Sequence, residues 1–212
     1  MKILVQSFRL IGQTPLIMHC GQTADPLSPH TKHIARASDV AKKNKTDENY
    51  ENLAMAEWWA GLYVNKPLKI EGMVVTPLPG TELVIPTHVL DSLVRSGARV
   101  CKNGKQAAAG CLIERPGKFL HNGPKDLTAL SRDPEFRFST LVKVGQARVL
   151  RTRPVFRSWS VEFEVTYDAE VIKGETVLQS LVDAGRLVGL GDWRPGAPKG
   201  GSWGRFDAEI IK

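Results

Sequence analysis

The sequence predicts a mixed α+β fold of the ferredoxin-like or RNA-recognition type, an antiparallel sheet with helices on one face. Two observations support this prediction. Residues 159–167 alternate strictly between apolar and polar side chains, as in a strand with one buried face. A strand, a helix and a further strand are also predicted at both ends of the chain. With antiparallel pairing between them, these elements would form one sheet covered by helices.

Composition indicates a globular chain with a basic surface. The 212 residues are 42% hydrophobic, enough for one sizeable core, and the formal net charge of +7 favours a polyanionic partner, with nucleic acid the first to consider. Cys20, Cys101 and Cys111 lack CxxC spacing, so neither a disulfide framework nor a cysteine zinc site is predicted. The sequence contains no pattern of a signal peptide or membrane span, and we expect a soluble cytoplasmic protein.

The N-terminal third predicts a strand followed by a helical insertion. Residues 2–11 form the first strand, which residues 14–19 continue. An insertion with two helices is predicted over 20–64. The first helix, over 30–44, is basic and has little apolar periodicity, so we expect its side chains, histidines included, to be solvated. The second, over 46–63, has an inward face and begins with a good N-cap.

The centre of the chain predicts one strand-to-helix element between less regular segments. A single strand is predicted over 68–75. A second strand, over 83–87, leads directly into a helix over 88–100 with one apolar face. Residues 119–133 carry turn signals and are predicted to form a loop.

A basic β-hairpin arm is predicted over 136–157. Apolar and polar residues alternate along its first strand, and Gly145 and Gln146 are predicted to form its turn. Positive charge is denser here than elsewhere in the chain and is interleaved with phenylalanines, which suits contact with phosphates and bases. The basic residues of this hairpin are Arg137, Lys143, Arg148, Arg151 and Arg153.

The C-terminal region predicts a helix, a glycine-rich loop and a closing strand over 205–211. Thr176 and Gln179 have the spacing of a capping box at the start of the helix. In the loop, exposed glycine N–H groups and basic and aromatic side chains together suit the approach of a polyanion. The loop residues predicted to take part are Gly189, Gly191, Trp193, Arg194, Lys199, Gly201, Trp203, Gly204 and Arg205.

Two segments together point to a known family. Residues 83–95 read LVIPTHVLDSLVR, a strand ending in Ile-Pro and followed by a helix. Residues 189–191 read GLG and residues 201–206 read GSWGRF. The first segment resembles the strand-to-helix element, and the others resemble the glycine-rich loop, of the RAMP superfamily of CRISPR-associated proteins. The similarity is closest to the backbone subunits that cover guide RNA, and the chain also resembles uncharacterised prophage proteins.

This resemblance implies a single RAMP-like domain over 1–212 and a path for nucleic acid along it. The helix after Ile85 and Pro86 would lie beside that path, the hairpin would act as a thumb-like arm, and the glycine-rich loop would line the groove or a subunit junction. The helix residues implied are His88, Ser92, Arg95 and Arg99.

Binding without chemistry is the function that the sequence favours. We predict a protein that binds RNA or single-stranded DNA mainly through the backbone, as a homo-oligomer or within a multi-subunit ribonucleoprotein, without metal or cofactor. A metal-independent endoribonuclease is an alternative, since histidines can act as acid and base, but no recognisable pair is present. A phage protein-interaction module that mimics or caps a host complex is the third hypothesis. The residues considered for catalysis are His19, Asp25, His30, His33, His88 and His121.

Overall fold

The computed structural model describes residues 2–144 and 146–211. Its strands are β1 (Ile3–Gly12), β2 (Leu16–Ile17), β3 (Lys69–Glu71), β4 (Val74–Thr76), β5 (Val84–Ile85), β6 (Cys111–Leu112), β7 (Gly117–His121), β8 (Arg137–Val144), β9 (Ala147–Phe156), β10 (Trp159–Asp168) and β11 (Phe206–Ile211). Its α-helices are α1 (Pro29–Lys43), α2 (Asp47–Gly61), α3 (Thr87–Val100), α4 (Gly104–Gly110), α5 (Leu127–Arg132) and α6 (Gly174–Asp183). The α+β class predicted from the sequence is therefore confirmed.

The chain forms two compact units, each assembled from segments that are distant in sequence. Unit 1 comprises Met1–Ile17, Leu83–Asn122 and Phe156–Lys212. Unit 2 comprises Met18–Glu82 and Gly123–Val155. Unit 2 thus contains most of the predicted helical insertion together with most of the predicted hairpin arm.

Unit 1 is built on an antiparallel sheet with the order β11-β1-β10-β7-β5. The strand β6 pairs with the part of β10 that β7 does not cover, where Leu112 lies opposite Thr166. In the centre Phe8 of β1 faces Phe163 of β10, and both rings are buried. The alternation predicted over 159–167 is confirmed, since the five apolar side chains of that stretch are all buried.

Helices α3 and α6 pack against each other in unit 1 at short range. Gly97 of α3 makes this approach possible, because a Cβ there would lie 1.9 Å from the carbonyl oxygen of Ser180 in α6. Leu90 of α3 reaches the sheet, where its Cδ1 would be 3.0 Å from a Cβ placed on Gly117. Burial of apolar side chains between helices and sheet is the main source of stability for such a layer.

The capping box predicted at Thr176 is wrong. Helix α6 already begins at Gly174, and the Thr176 carbonyl accepts a hydrogen bond from the Ser180 hydroxyl (2.6 Å). The Gln179 amide donates to the Asp183 carboxylate (3.1 Å) instead of reaching back to the helix start. Gly174 and Glu175, which precede Thr176, are already helical. Thr176 therefore lies inside the first turn and cannot be the N-cap.

Unit 2 contains α1, α2 and α5 with the hairpins β3–β4 and β8–β9. Trp58 and Trp59 of α2 are both buried and meet edge to face, with ring centroids 5.0 Å apart. The Trp58 indole N–H donates to the Phe136 carbonyl (2.8 Å), so this large side chain is buried with its polar atom paired. Thr46 caps α2 through a hydrogen bond from the Asn49 N–H (3.3 Å), as the sequence predicts.

Two further secondary-structure predictions need correction. The strand predicted over 68–75 is a hairpin, because Gly72 takes a positive φ of 60° and reverses the chain. The loop predicted over 119–133 contains the end of β7 and the helix α5, which Asp126 caps by accepting from the Ala129 N–H (2.7 Å).

Within the described parts of the chain, no helix is long and apolar enough to cross a membrane.

Candidate nucleic-acid interface

The basic hairpin of unit 2 pairs β8 and β9 antiparallel, as predicted. Lys143 lies directly opposite Arg148, and both side chains are exposed. Next to them Leu141 lies opposite Leu150, with 62% and 55% of these residues exposed. Because side chains two residues apart share a face, the two cations and the two leucines form one surface, which we call the hairpin tip. The predicted turn at Gly145 lies outside the described residues.

The hairpin tip is electrostatically unfavourable by itself. Like charges directly opposite each other on an antiparallel pair of strands destabilise it. A polyanion bound across Lys143 and Arg148 would remove this repulsion. The tip therefore has the charge and exposure of a surface that binds phosphates.

Arg151 and Arg153 lie further along β9 and have other environments. Arg151 forms an ion pair with Glu57 of α2, whose carboxylate is only 3% exposed. The second carboxylate oxygen of Glu57 accepts from the Thr152 N–H (2.8 Å). Part of the charge of Arg151 is thus neutralised inside the protein, whereas the cations of the hairpin tip face solvent. Arg137, at the start of β8, is likewise anchored, since its Nε–H donates to the Ser131 carbonyl (2.8 Å).

A cleft of about 360 Å³ lies in unit 2 beside these arginines. Its walls come from α1, α2, β9 and the segment around His19. Arg151 and Arg153 contribute positive charge, and Glu57 contributes the buried carboxylate already bonded to Arg151. The cleft brings together residues that are distant in the sequence: the hairpin arginines, a helix carboxylate and a histidine.

The four residues predicted on α3 in unit 1 share one exposed stripe. At 100° per residue, His88, Ser92, Arg95 and Arg99 fall within about 60° around the helix, opposite the buried side chains. His88, Ser92 and Arg99 are exposed. Arg95 is partly buried and forms an ion pair with Asp91 (2.8 Å). This stripe is weaker in free positive charge than the hairpin tip.

The glycine-rich loop of unit 1 is folded on itself. The N–H groups of Gly189, Gly196 and Gly204 donate to backbone carbonyls, so these donors are already used within the chain. Gly204 has a φ of 65°, and a Cβ there would lie 1.8 Å from the Leu190 carbonyl oxygen. Close backbone packing explains the glycine at this position without a ligand.

The side chains predicted in this loop divide into bonded and exposed groups. Arg194 donates to the Gly191 carbonyl (3.0 Å), and Arg205 donates to the Arg186 carbonyl. The rings of Trp193 and Trp203 meet at a steep angle with centroids 6.4 Å apart. The exposed members are Lys199 and Trp193, while the buried or half-buried members are Gly189, Gly191, Arg194, Gly201, Trp203, Gly204 and Arg205.

The sheet face of unit 1 that points away from the buried rings is acidic. Arg9 of β1 lies between Glu162 and Glu209 and bonds to both, at 2.8 and 3.1 Å. Glu164 on the same face of β10 is exposed. A surface with this balance of charge repels phosphates, so it differs from sheet faces that bind RNA through stacked bases.

The histidines considered for catalysis are spread over both units. The prediction that His30 and His33 are solvated is wrong, since they are 7% and 2% exposed and lie on the buried stripe of α1 with Ala37 and Ala41. Burial lowers the pKa of both imidazoles, and the proximity of the two residues lowers that of His30 further. His88 and His121 lie in unit 1, and His19 in unit 2.

Asp25 and Cys111 are further reactive groups, and each has a local structural environment. The Asp25 carboxylate accepts from the Leu27 N–H (2.8 Å) in a local turn. Burial raises the pKa of the Cys111 thiol to about 11, which keeps it protonated. Across residues 2–144 and 146–211, no group of three or more His, Cys, Asp or Glu side chains could hold a metal ion.

No protein-family model matches the chain, and no curated protein matches it.

Sequence reasoning missed the link between Glu57 and the hairpin. A glutamate on the buried face of a predicted helix, next to Trp58, requires a basic or hydrogen-bonding partner. A buried glutamate could have indicated an arginine partner. Which arginine it is depends on a contact between residues 94 positions apart, and the sequence does not show that contact. His19 was considered from the sequence, but its grouping with Thr23 and Thr31 could not be predicted, because the cleft that they share is formed only by the folded chain.

Proposed function

We propose that the protein binds RNA or single-stranded DNA, mainly through the phosphate backbone, and that the hairpin tip is the principal contact. The observation behind this is the pair Lys143 and Arg148, two exposed cations held opposite each other. Phosphates at this position would offset their repulsion and release counterions. The exposed leucines beside them add a surface on which bases can lie.

A backbone-directed mode fits the chemistry of the tip. Lysine and arginine contact phosphates without reading the base sequence, and apolar side chains accept any base. We therefore propose a sequence-tolerant binder. The α3 stripe of unit 1 is a second basic surface of the same kind, with Arg99 as its most exposed cation.

We further propose that unit 1 is a ferredoxin-like domain related to the RAMP superfamily. Apart from the additional elements β5, α4 and β6, its main elements follow the order β1-α3-β7-β10-α6-β11, a strand-helix-strand arrangement that occurs twice, and the sheet order supports this assignment. The Ile85-Pro86 step immediately before α3 and the glycine-rich loop before β11 support it as well. In such a protein, repeated copies would assemble along one strand of nucleic acid.

The test is fluorescence anisotropy with labelled single-stranded RNA and DNA at about 50 and about 200 mM salt. The double variant Lys143→Ala, Arg148→Ala should lose about tenfold in affinity, equivalent to about 1.4 kcal/mol. Its salt slope should fall by about 1.4, from about 0.7 for each lost contact to a single strand. Binding to RNA and DNA should weaken to a similar extent.

The matched control is Lys105→Ala, Arg115→Ala, which removes the same charges from exposed positions of unit 1. This control should retain its affinity within about twofold. Equal losses in both double variants would mean that only net charge matters, and the hairpin assignment would be wrong. No detectable binding by the unmodified chain at low salt would disprove the proposed function itself.

A further inference from the structure

The cleft in unit 2 has the features of a small-ligand site. Its volume of about 360 Å³ lies at the lower end of the range for such pockets, too small for a folded partner and suited to a single nucleotide. One wall is cationic, from Arg151 and Arg153, and another is apolar or small, from Ile34, Ala60 and Gly61. A mainly apolar wall with a few convergent polar groups is the usual composition of a ligand pocket.

The cationic wall contains two guanidinium groups, and one carboxylate lies beside them. Glu57 is the carboxylate of the cleft, and both of its oxygens are engaged, by Arg151 and by the Thr152 N–H. A guanidinium carries five N–H donors, and the bond to Glu57 uses one of those of Arg151. Arg153 adds a second guanidinium, so the wall offers fork-shaped donors suited to a phosphate.

The rim of the cleft is held in place by hydrogen bonds. The Thr31 hydroxyl contacts the Thr23 and Asp25 carbonyl oxygens at 3.2 and 2.7 Å. The Gln22 amide donates to the Ala60 carbonyl (3.0 Å). The segment from residue 21 to 25 is thereby fixed to both α1 and α2, which lowers the entropy cost of ordering a binding site.

We infer that this cleft binds one nucleotide unit, with the phosphate on Arg151 and Arg153 and the base against Ile34 and Ala60. The nucleotide is either a free mononucleotide or the phosphorylated end of a bound strand. The second source rests on the proposed function, and it is favoured because Arg148 of the hairpin tip lies on β9, the strand that also carries Arg151 and Arg153.

Isothermal titration calorimetry on the full chain tests this site with adenosine 5′-monophosphate, uridine 5′-monophosphate and the two nucleosides. The monophosphates should bind and the nucleosides should bind at least about tenfold more weakly, because they lack the charge-assisted bonds. Arg153→Gln should weaken monophosphate binding by about tenfold or more. Ile34→Phe, which fills the apolar side, should weaken it as well. Arg132→Gln, an exposed arginine of α5, is the charge-matched control and should leave it unchanged.

A second arm compares one oligonucleotide with a 5′-phosphate or a 5′-hydroxyl end. A gain in affinity from the 5′-phosphate that Arg153→Gln removes identifies the strand end as the source. Monophosphate binding without such a gain identifies the free nucleotide. If neither probe responds to Arg153→Gln or Ile34→Phe while circular dichroism shows native folds, the site is disproved. The hairpin tip is judged separately, since Lys143→Ala, Arg148→Ala should weaken oligonucleotide binding alone.

Discussion

The open sheet face of unit 1 and the hairpin of unit 2 carry charge in opposite ways. On the sheet, the cation Arg9 is bonded to two glutamates, and Glu164 adds further negative charge. On the hairpin tip, Lys143 and Arg148 face each other and solvent. The net charge of +7 does not distinguish these regions. The pairing of individual charges does, and it locates the surface available to a polyanion.

The largest loss of stability is expected when the bond between Glu57 and the hairpin of unit 2 is removed. Glu57→Ala leaves Arg151 without its partner and the Thr152 N–H unsatisfied. We expect a loss of about 2–4 kcal/mol in the free energy of unfolding, below the upper end for buried pairs because Arg151 is partly exposed. Urea denaturation followed by circular dichroism measures it.

The control for this change is Glu164→Ala on the exposed sheet face of unit 1, which should stay within about 0.5 kcal/mol of the unmodified protein. If both variants lose the same stability, the buried carboxylate has no special role and the contrast between the two regions fails.

The next effect concerns the contact between α3 and α6 in unit 1. Gly97→Ala places a methyl group against the Ser180 carbonyl, so the helices must separate, at a cost of about 1–3 kcal/mol. Gly21→Ala in unit 2 is the matched change, because a Cβ there meets nothing within 4 Å. Thermal unfolding of both variants should show a large decrease in Tm for the first alone. A smaller decrease for Gly97→Ala than for Gly21→Ala would contradict the observed helix packing.

Unit 2 should also be the region sensitive to acid. Burial lowers the folded-state pKa of His30 and His33, and the charge of Arg36 contributes at His33. Their unfolded pKa is about 6.5, so below that pH the unfolded chain binds more protons than the folded one. Stability from these neutral imidazoles is therefore complete above about pH 6.5 and is lost as the pH falls towards the lower folded-state values.

Urea midpoints measured at about pH 7.5 and about pH 5.5 test this expectation. The double variant His30→Gln, His33→Gln should show a smaller decrease between the two pH values than the unmodified chain. His88→Asn, which changes an exposed histidine of α3, should show the full decrease. An unchanged decrease in the double variant would assign the acid sensitivity to other groups.

The smallest expected effect sharpens the comparison of surfaces. Glu164→Gln removes one negative charge from the open sheet face, and nucleic-acid affinity should change by less than about twofold, since salt screens exposed charges. The fluorescence anisotropy assay used for the hairpin variants also measures this affinity. A clear gain in affinity would mean that nucleic acid passes over the sheet face.

The sequence predicted elements whose pattern is local and missed those that depend on context. The strand β10 and the hairpin β8–β9 alternate regularly, and α2 begins with a cap, so they could be predicted. The buried stripe of α1 could not, because His30, His33, Ala37 and Ala41 have low hydrophobicity and are buried only through packing in unit 2. The short helix α5 could not be predicted, because the turn-forming residues around it favoured a loop over 119–133.

The candidate site could be predicted in part for the same reason. Positive charge on the hairpin is visible in the sequence, but whether a given arginine faces solvent or a carboxylate is not. Arg148 and Arg151 are equivalent in sequence, yet only Arg151 has Glu57 as a partner. The glycines of the C-terminal loop were predicted to expose their N–H groups, but those of Gly189 and Gly204 donate to the backbone carbonyls of Ala184 and Pro15.

The bond between Glu57 and Arg151 also constrains the order in which the chain can fold. All of α3, α4 and β7, which belong to unit 1, lie between its two ends in sequence. During synthesis Glu57 is therefore made long before Arg151, the residue that neutralises it. Unit 2 cannot be completed until β9 has been synthesised. Unit 1 is completed later than unit 2, because its edge strand β11 follows β9 in the sequence. Both units must consequently close over long sequence separations, a topology that slows folding.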